Sequence, residues 1–164
     1  MKLTKFERLI LSNQYTILEQ LNPDEADFYS QAREILEAGF QLEYGGLVGC
    51  FSDGMSDEQC QEVCDILDMH RMLLYAYENL QTKTGINKAD LTFKGFDGNN
   101  EGPYMRYADF LINKQDRWVE SKGVIDSHHS TLYRYRILLD RWKASVDPLH
   151  LTEEDLRRIV APIN

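Results

Sequence analysis

The chain has 164 residues, of which 43% are hydrophobic and 27% are charged, and its formal net charge is −9. This composition is typical of a globular protein and excludes a disordered or collagen-like chain. Residues 1–70 carry 14 acidic and 4 basic side chains, and such a surface repels phosphate backbones. We therefore do not expect nucleic acid as a general partner. Residues 19–68 predict a solvated acidic surface, or a docking site for a basic protein.

Cysteine content and hydropathy indicate the compartment. The three cysteines, an odd number, fit a reducing environment better than a disulfide framework. The longest apolar run, residues 72–77, is much shorter than the roughly 20 residues of a membrane span. Charged side chains interrupt the apolar stretch near the start, so we expect no signal peptide. The prediction is a cytoplasmic protein that does not enter the membrane.

Four sequence patterns mark the starts of helices. Three have capping-box spacing, in which a Ser or Thr is followed three residues later by Glu, Gln or Asp, and they begin at Thr4, Ser56 and Thr152. The fourth is Asn22 followed by Pro23, which places an N-cap before a proline at the first helical position. Four independent start signals predict a helical fold.

The first two predicted helices span residues 5–21 and 23–38. In the first, apolar side chains recur every three or four residues and form one face, with Asn13 in its middle. A polar residue in an apolar seam can fix the register between helices. The second helix ends at Gly39, and the glycine-rich residues 40–54 predict a loop with one short turn.

The longest predicted helix spans residues 57–81 and carries two adjacent apolar stripes. Because two stripes contact several neighbours, we expect this helix to be central. Residues 82–102 are predicted to be irregular, with an extended piece at 91–93. Pro103 opens a helix to about residue 114, and helices over residues 131–146 and 152–161 follow a polar loop.

These elements define the fold class as all-α, because strands and helices do not alternate along the chain. We predict a compact bundle of five to seven helices around the central helix, in a single helical domain over residues 1–164. A subdivision into an outer layer of terminal helices and a middle part around residues 55–125 is possible.

Polar and aromatic residues supply candidates for a pocket or an interface. Asp97 and Glu101 lie just before a helix start, and a partly buried Glu101 would have a raised pKa suited to acid–base catalysis. His128 belongs to the only pair of adjacent imidazoles. The full candidate set is Asn13, Gln14, Tyr15, Asp97, Glu101, Tyr104, Tyr107 and His128.

One predicted helix mixes basic and aromatic side chains, a combination that can bind phosphates and stack bases. Its candidate patch consists of Arg134, Arg136, Arg141 and Trp142. Arg134 and Arg136 fall on different helix faces. Pairing with acidic groups of the chain or of another subunit is therefore the preferred interpretation.

No metal or cofactor is expected. Residues 97–102 space oxygen ligands as a calcium loop does, but Ala108 stands where a bidentate glutamate is required. Cys60 and Cys64 lie four residues apart on a helix, and no second Cys or His pair completes a zinc site. The sequence also lacks phosphate-binding glycine loops, nucleophile elbows and dinucleotide fingerprints.

Residues 8–15, RLILSNQY, resemble the opening motif of the bacterial YfbU family. Further similarities lie in residues 95–97 with Glu101 and Tyr104, in residues 135–142 and in residues 150–152. The resemblance implies a small bacterial cytoplasmic protein with an all-helical fold. It implies no activity, and it transfers no catalytic residues to this chain.

Three hypotheses for function follow. The leading one is a non-enzymatic protein that self-associates, as a dimer or larger homo-oligomer, and binds another protein. The alternative is an enzyme or small-ligand binder whose pocket is framed by the candidate residues. A second alternative is nucleic-acid binding through the basic–aromatic helix.

Overall fold

A computed structural model describes residues 1–163 of the chain. Among these residues there are eight α-helices and no β-strand, so the all-α prediction is confirmed. The chain divides into two compact units, unit 1 (Met1–Gly54) and unit 2 (Met55–Asn164). The single domain over residues 1–164 stays a prediction. No helix within residues 1–163 has the length and apolar character needed to cross a membrane.

Unit 1 is built on two helices that pack against each other, α1 (Lys5–Leu21) and α2 (Ala26–Ala38). The predicted capping box begins α1, since the Glu7 amide donates to the Thr4 hydroxyl over 3.2 Å and the Thr4 amide donates to the Glu7 carboxylate over 2.7 Å. These bonds satisfy backbone donors that the first helical turn leaves free.

The second predicted helix start is wrong by three residues. Asn22 makes no side-chain cap, and Pro23–Glu25 forms a 3-10 turn, so α2 begins only at Ala26. Gly39, at φ 77°, ends α2 in the left-handed conformation that glycine adopts without strain. The predicted loop after it contains a 3-10 turn and the one-turn helix α3 (Tyr44–Leu47).

Unit 2 is organised around α4 (Asp57–Asn79), which contacts every other α-helix of the unit. Those helices are α5 (Lys88–Leu91), α6 (Gly102–Asp109), α7 (Leu132–Lys143) and α8 (Glu153–Val160). The two predicted stripes of α4 supply the buried Val63, Ile66, Leu67, Met69 and Leu73. The helix is therefore central within its unit, and it ends two residues earlier than predicted.

Two further predictions about local structure need correction. The first residue of the extended piece predicted at 91–93 is helical, because the Asn87 side chain accepts a hydrogen bond from the Ala89 amide over 3.1 Å and caps α5. The helix predicted to reach residue 114 changes character, since α6 continues as a π-helical turn over Phe110–Lys114. The predicted helix over residues 131–146 is shorter, at Leu132–Lys143.

Candidate functional site

Glu101 lies in unit 2 where the turn before α6 meets the start of α7, and it is only 6% exposed. Its Oε1 atom accepts hydrogen bonds from the amides of Thr131 (2.9 Å) and Leu132 (2.8 Å), and a third from the Ser130 hydroxyl (2.8 Å). Its Oε2 atom accepts from the Asp97 amide and the Thr131 hydroxyl, each over 3.0 Å. A single carboxylate thus joins two backbone segments and caps α7.

The same contacts keep the Glu101 carboxyl ionised. Burial alone would raise its pKa, but the hydrogen bonds from nearby amides and hydroxyls outweigh burial and hold the pKa below its ordinary value of 4.5. The raised pKa expected from the sequence is therefore wrong. A carboxylate that already accepts five hydrogen bonds is also poorly placed to take a proton from a substrate.

The turn before α6 closes on itself. Asp97 is buried, and its carboxylate accepts from the side-chain amide of Asn100 (2.5 Å) and the backbone amide of Asn99 (3.0 Å). These bonds, first of all that from Asn100, lower the pKa of Asp97 from its ordinary value of 3.8. Within residues 1–163 no three His, Cys, Asp or Glu side chains are placed to hold a metal ion.

The loop that carries His128 runs beside this turn. Gly95, at φ 84°, allows the close approach, because a Cβ atom there would stand 2.3 Å from the carbonyl oxygen of Ile125. Asp126 Oδ1 accepts from the amides of both Gly98 (3.2 Å) and His128 (2.8 Å). The His128 side chain is 83% exposed, and its Nδ1 atom lies 3.4 Å from the other Asp126 oxygen.

Tyr104 and Arg136, which the sequence placed in different candidate sets, meet at Glu62 of α4. The Arg136 guanidinium donates two hydrogen bonds to the Glu62 carboxylate, over 2.7 and 2.9 Å, and the Tyr104 hydroxyl donates a third over 2.8 Å. The bond from Arg136 is the main reason that the pKa of Glu62 is lowered. One turn further along α4, Lys143 pairs with Asp65 over 2.5 Å.

These pairs line one side of an open groove of about 790 Å³ in unit 2. Its remaining walls are Asp57, Glu58, Gln59, Gln61, Leu139 and Asp140. Acidic groups outnumber basic ones here, and both basic groups are already paired. The groove therefore presents net negative charge to solvent.

The other members of the basic–aromatic patch are also engaged inside unit 2. Arg134 lies 3.6 Å from a carboxylate oxygen of Asp90. Arg141 donates to the carbonyls of Ile159 in α8 and of Ala161 just after it, over 2.9 and 2.7 Å. The Trp142 indole donates to the Pro148 carbonyl over 3.0 Å. These contacts tie α7 to its neighbours in the unit.

The remaining candidates are divided between the units. Tyr107 belongs to unit 2 and is partly buried, with its ring stacked on Phe110 at a centroid distance of 6.5 Å. Asn13, Gln14 and Tyr15 belong to α1 in unit 1. Asn13 and Gln14 are exposed, whereas Tyr15 is half-buried.

The inner face of α1 holds α2 through polar contacts. The Arg8 guanidinium donates to the Leu36 carbonyl at the end of α2 over 2.9 Å, and the Ser12 hydroxyl donates to the Glu37 carboxylate over 2.9 Å. Glu19 lies 3.5 Å from Arg33 at the other end of the pair. Two polar residues of the motif RLILSNQY, Arg8 and Ser12, thus serve the packing of two helices.

The opposite side of α1 is apolar and open to solvent. We call it the outer face; its five apolar side chains, each between 45% and 70% exposed, are Phe6, Leu9, Ile10, Ile17 and Leu21. Asn13 lies exposed between them. Sequence reasoning found this stripe but assigned no partner to it. Arg8 and Ser12 lie four residues apart and so share a second, polar face of α1. Because that polar face contacts α2, the apolar stripe is left facing outward.

The fold and these contacts define an all-α protein whose polar clusters cap helices and join them. A family model described as the YfbU domain matches residues 1–161 of the chain. The protein therefore belongs to the YfbU family, as the motifs of its sequence indicated.

Proposed function

We propose that this YfbU-family protein is a cytoplasmic, non-enzymatic protein that self-associates through unit 1 and binds another protein. The outer face of α1 carries the proposal. Burying one Leu, Ile or Phe side chain completely contributes roughly 1.5–3 kcal/mol, so five such side chains left largely in water favour association strongly. A contiguous apolar surface of this kind is typical of a protein–protein contact.

The small core of unit 1 supports the same proposal. Within Met1–Gly54 only Ser12, Ala32, Leu36 and Tyr44 are buried, whereas the main hydrophobic cluster of the chain lies within unit 2. Further apolar side chains of unit 1 are exposed after α2, among them Phe40, Leu42 and Phe51. A unit of this size with so few buried side chains gains stability from an additional contact surface.

The alternative hypotheses have less support from the contacts. Acid–base chemistry would rest on Glu101, whose carboxylate is used to cap α7. Nucleic-acid binding would rest on Arg134, Arg136 and Arg141, and each has a partner inside unit 2.

A basic partner for the acidic region 19–68 belongs to the same proposal. The groove beside α4 exposes Asp57 and Glu58 with no basic side chain paired to either within residues 1–163. We expect an oligolysine peptide to bind in low salt and to dissociate as salt is added, measured by titration calorimetry. Glu58→Gln should weaken binding more than the control Glu154→Gln on α8. Equal binding by both variants would place the peptide elsewhere.

Sedimentation velocity over a range of concentrations tests the self-association. We expect a dimer or larger species for the unaltered chain, and dissociation to a monomer for Ile10→Lys and Ile17→Lys. Val146→Lys is the control, because this change introduces the same charge at a side chain that is fully exposed. Circular dichroism verifies that each variant keeps its helical content. A monomer at every concentration of the unaltered chain would refute the proposal.

A further inference from the structure

We propose that two copies of the chain pair through the outer faces of α1, antiparallel and around a two-fold axis that passes beside Asn13. This inference rests on the proposed self-association and specifies its partner, its direction and its register. The occupant of the outer face is then a second copy of this chain.

The outer face extends about equally far to either side of Asn13. Leu9 and Ile17 lie four residues to either side, and Phe6 and Leu21 lie seven and eight residues away. In an antiparallel pair centred on Asn13, Leu9 of one copy therefore meets Ile17 of the other, and Phe6 approaches Leu21. Such a surface is complementary to itself, as the contact of a two-fold dimer must be.

Asn13 is suited to the centre of this contact. Its amide offers both donors and an acceptor, so two copies can hydrogen-bond to each other across the axis. A shift of the register would leave this amide against apolar side chains without a partner, which is unfavourable. Asn13 would thus fix the register, as polar residues do in helical seams.

Charge at the two ends of α1 decides the direction. Lys2 and Lys5 lie at its beginning, and Asp24 and Glu25 follow its end; all four are exposed, and none forms an ion pair within residues 1–163. In an antiparallel pair the beginning of one α1 lies beside the end of the other, so Lys2 and Lys5 of one copy approach Asp24 and Glu25 of the second copy. A parallel pair would place like charges together at both ends. Exposed pairs of this kind select an orientation more than they add affinity.

Disulfide cross-linking of the full chain tests direction and register together. The three native cysteines are replaced by alanine, and circular dichroism verifies that this chain keeps its helices. We expect Asn13→Cys alone to give a covalent dimer on oxidation, measured on a non-reducing gel. The double variant Lys2→Cys/Asp24→Cys should also give one, whereas either single variant should not. Val146→Cys is the exposed control outside α1.

The outcomes separate this inference from the proposed function. Efficient cross-linking of Lys2→Cys to itself would show a parallel pair and overturn the inference while self-association stands. A chain that still sediments as a dimer, but cross-links at none of these positions, would place the contact elsewhere. A chain that sediments only as a monomer would refute the proposed function itself.

Charge reversal provides a second test without cysteines. Lys2→Glu alone, or Asp24→Lys alone, should raise the dimer dissociation constant roughly two- to thirty-fold, because the two-fold dimer contains this exposed ion pair twice. The combined variant should restore the original constant, because the charges then face each other with reversed sign. In a parallel pair each reversal would only exchange one contact between like charges for another, so neither single variant would raise the constant, and that result would overturn the antiparallel arrangement.

Discussion

Replacing Glu101 tests whether a single carboxylate caps α7 from across unit 2. The change Glu101→Gln keeps the shape of the side chain and removes its charge. One oxygen can still accept from the Ser130 hydroxyl and the two amides at the start of α7. The other oxygen becomes an NH₂ group, which cannot accept the bonds now made by the Asp97 amide and the Thr131 hydroxyl.

The magnitude follows from the number of donors left without an acceptor. The Thr131 hydroxyl has one hydrogen and also lies 2.9 Å from the Gly95 carbonyl, so it can turn to that oxygen and accept from the new NH₂. Only the buried Asp97 amide then stays unpaired, at about 1–3 kcal/mol. Loss of a negative charge at a helix N-terminus adds about 0.3–1 kcal/mol. We expect Glu101→Gln to destabilise the protein by about 2–3 kcal/mol, and Glu101→Ala, which leaves three amides unpaired, by about 4 kcal/mol or more.

Urea unfolding followed by circular dichroism at neutral pH measures these changes. The matched control is Glu120→Gln, which breaks a partly exposed ion pair with Arg71 and should change the free energy of unfolding by less than about 1 kcal/mol. Because the folded pKa of Glu101 is lowered, its contribution is complete above its ordinary pKa of 4.5 and is lost as the pH falls through the folded value. The difference in free energy of unfolding between the unaltered chain and Glu101→Gln should therefore become smaller in acid. If Glu101→Gln behaves like Glu120→Gln at neutral pH, the capping argument is wrong.

Three further changes give measurable outcomes. Gly95→Ala should lower the melting temperature much more than Gly123→Ala. Both glycines have φ above 80°, but only at Gly95 would a Cβ atom clash with backbone atoms. Equal shifts of the melting temperature would contradict the clash. Burial lowers the pKa of His70 from 6.5 to about 4, so between these pH values the imidazole is protonated in the unfolded chain and neutral in the folded one. Stability should fall as the pH drops from 6.5 towards 4, by about 3 kcal/mol in all, and His70→Gln should lack this slope in urea titrations. Arg141→Met should cost about 1–2 kcal/mol by urea unfolding, because the last carbonyls of α8 lose their donor; an unchanged midpoint would show that solvent replaces it.

The features that the sequence predicted well depend on residues close together in the chain. The capping boxes at Thr4, Ser56 and Thr152 each link residues three positions apart, and all three are present. The two stripes of α4 follow from helical periodicity alone, and they are buried as expected. Such patterns are readable because the physics that produces them is local.

The cap of α7 could not be predicted in the same way. The acceptor that caps it is Glu101, 30 residues before Thr131 in the chain. Periodicity gives no information about a contact over that distance. The same limit explains why burial of Glu101 was expected to raise its pKa, since its hydrogen-bond donors were not yet known.

The outer face of α1 shows a different limit. Periodicity establishes that one side of a helix is apolar, but it does not establish what covers that side. Phe6 and Ile17 follow the pattern expected of core residues and are nevertheless more than half exposed. Asn13, at the middle of the stripe, was the residue that indicated a contact with another helix.

The division into two units has a spectroscopic consequence. Both tryptophans of the chain, Trp118 and Trp142, belong to unit 2, and the aromatic residues of unit 1 are tyrosines and phenylalanines. Tryptophan emission therefore reports the unfolding of unit 2 alone, whereas the far-ultraviolet signal of the helices sums both units. Coincident transitions by the two probes would show that the units unfold together, and separate transitions would show that each melts by itself.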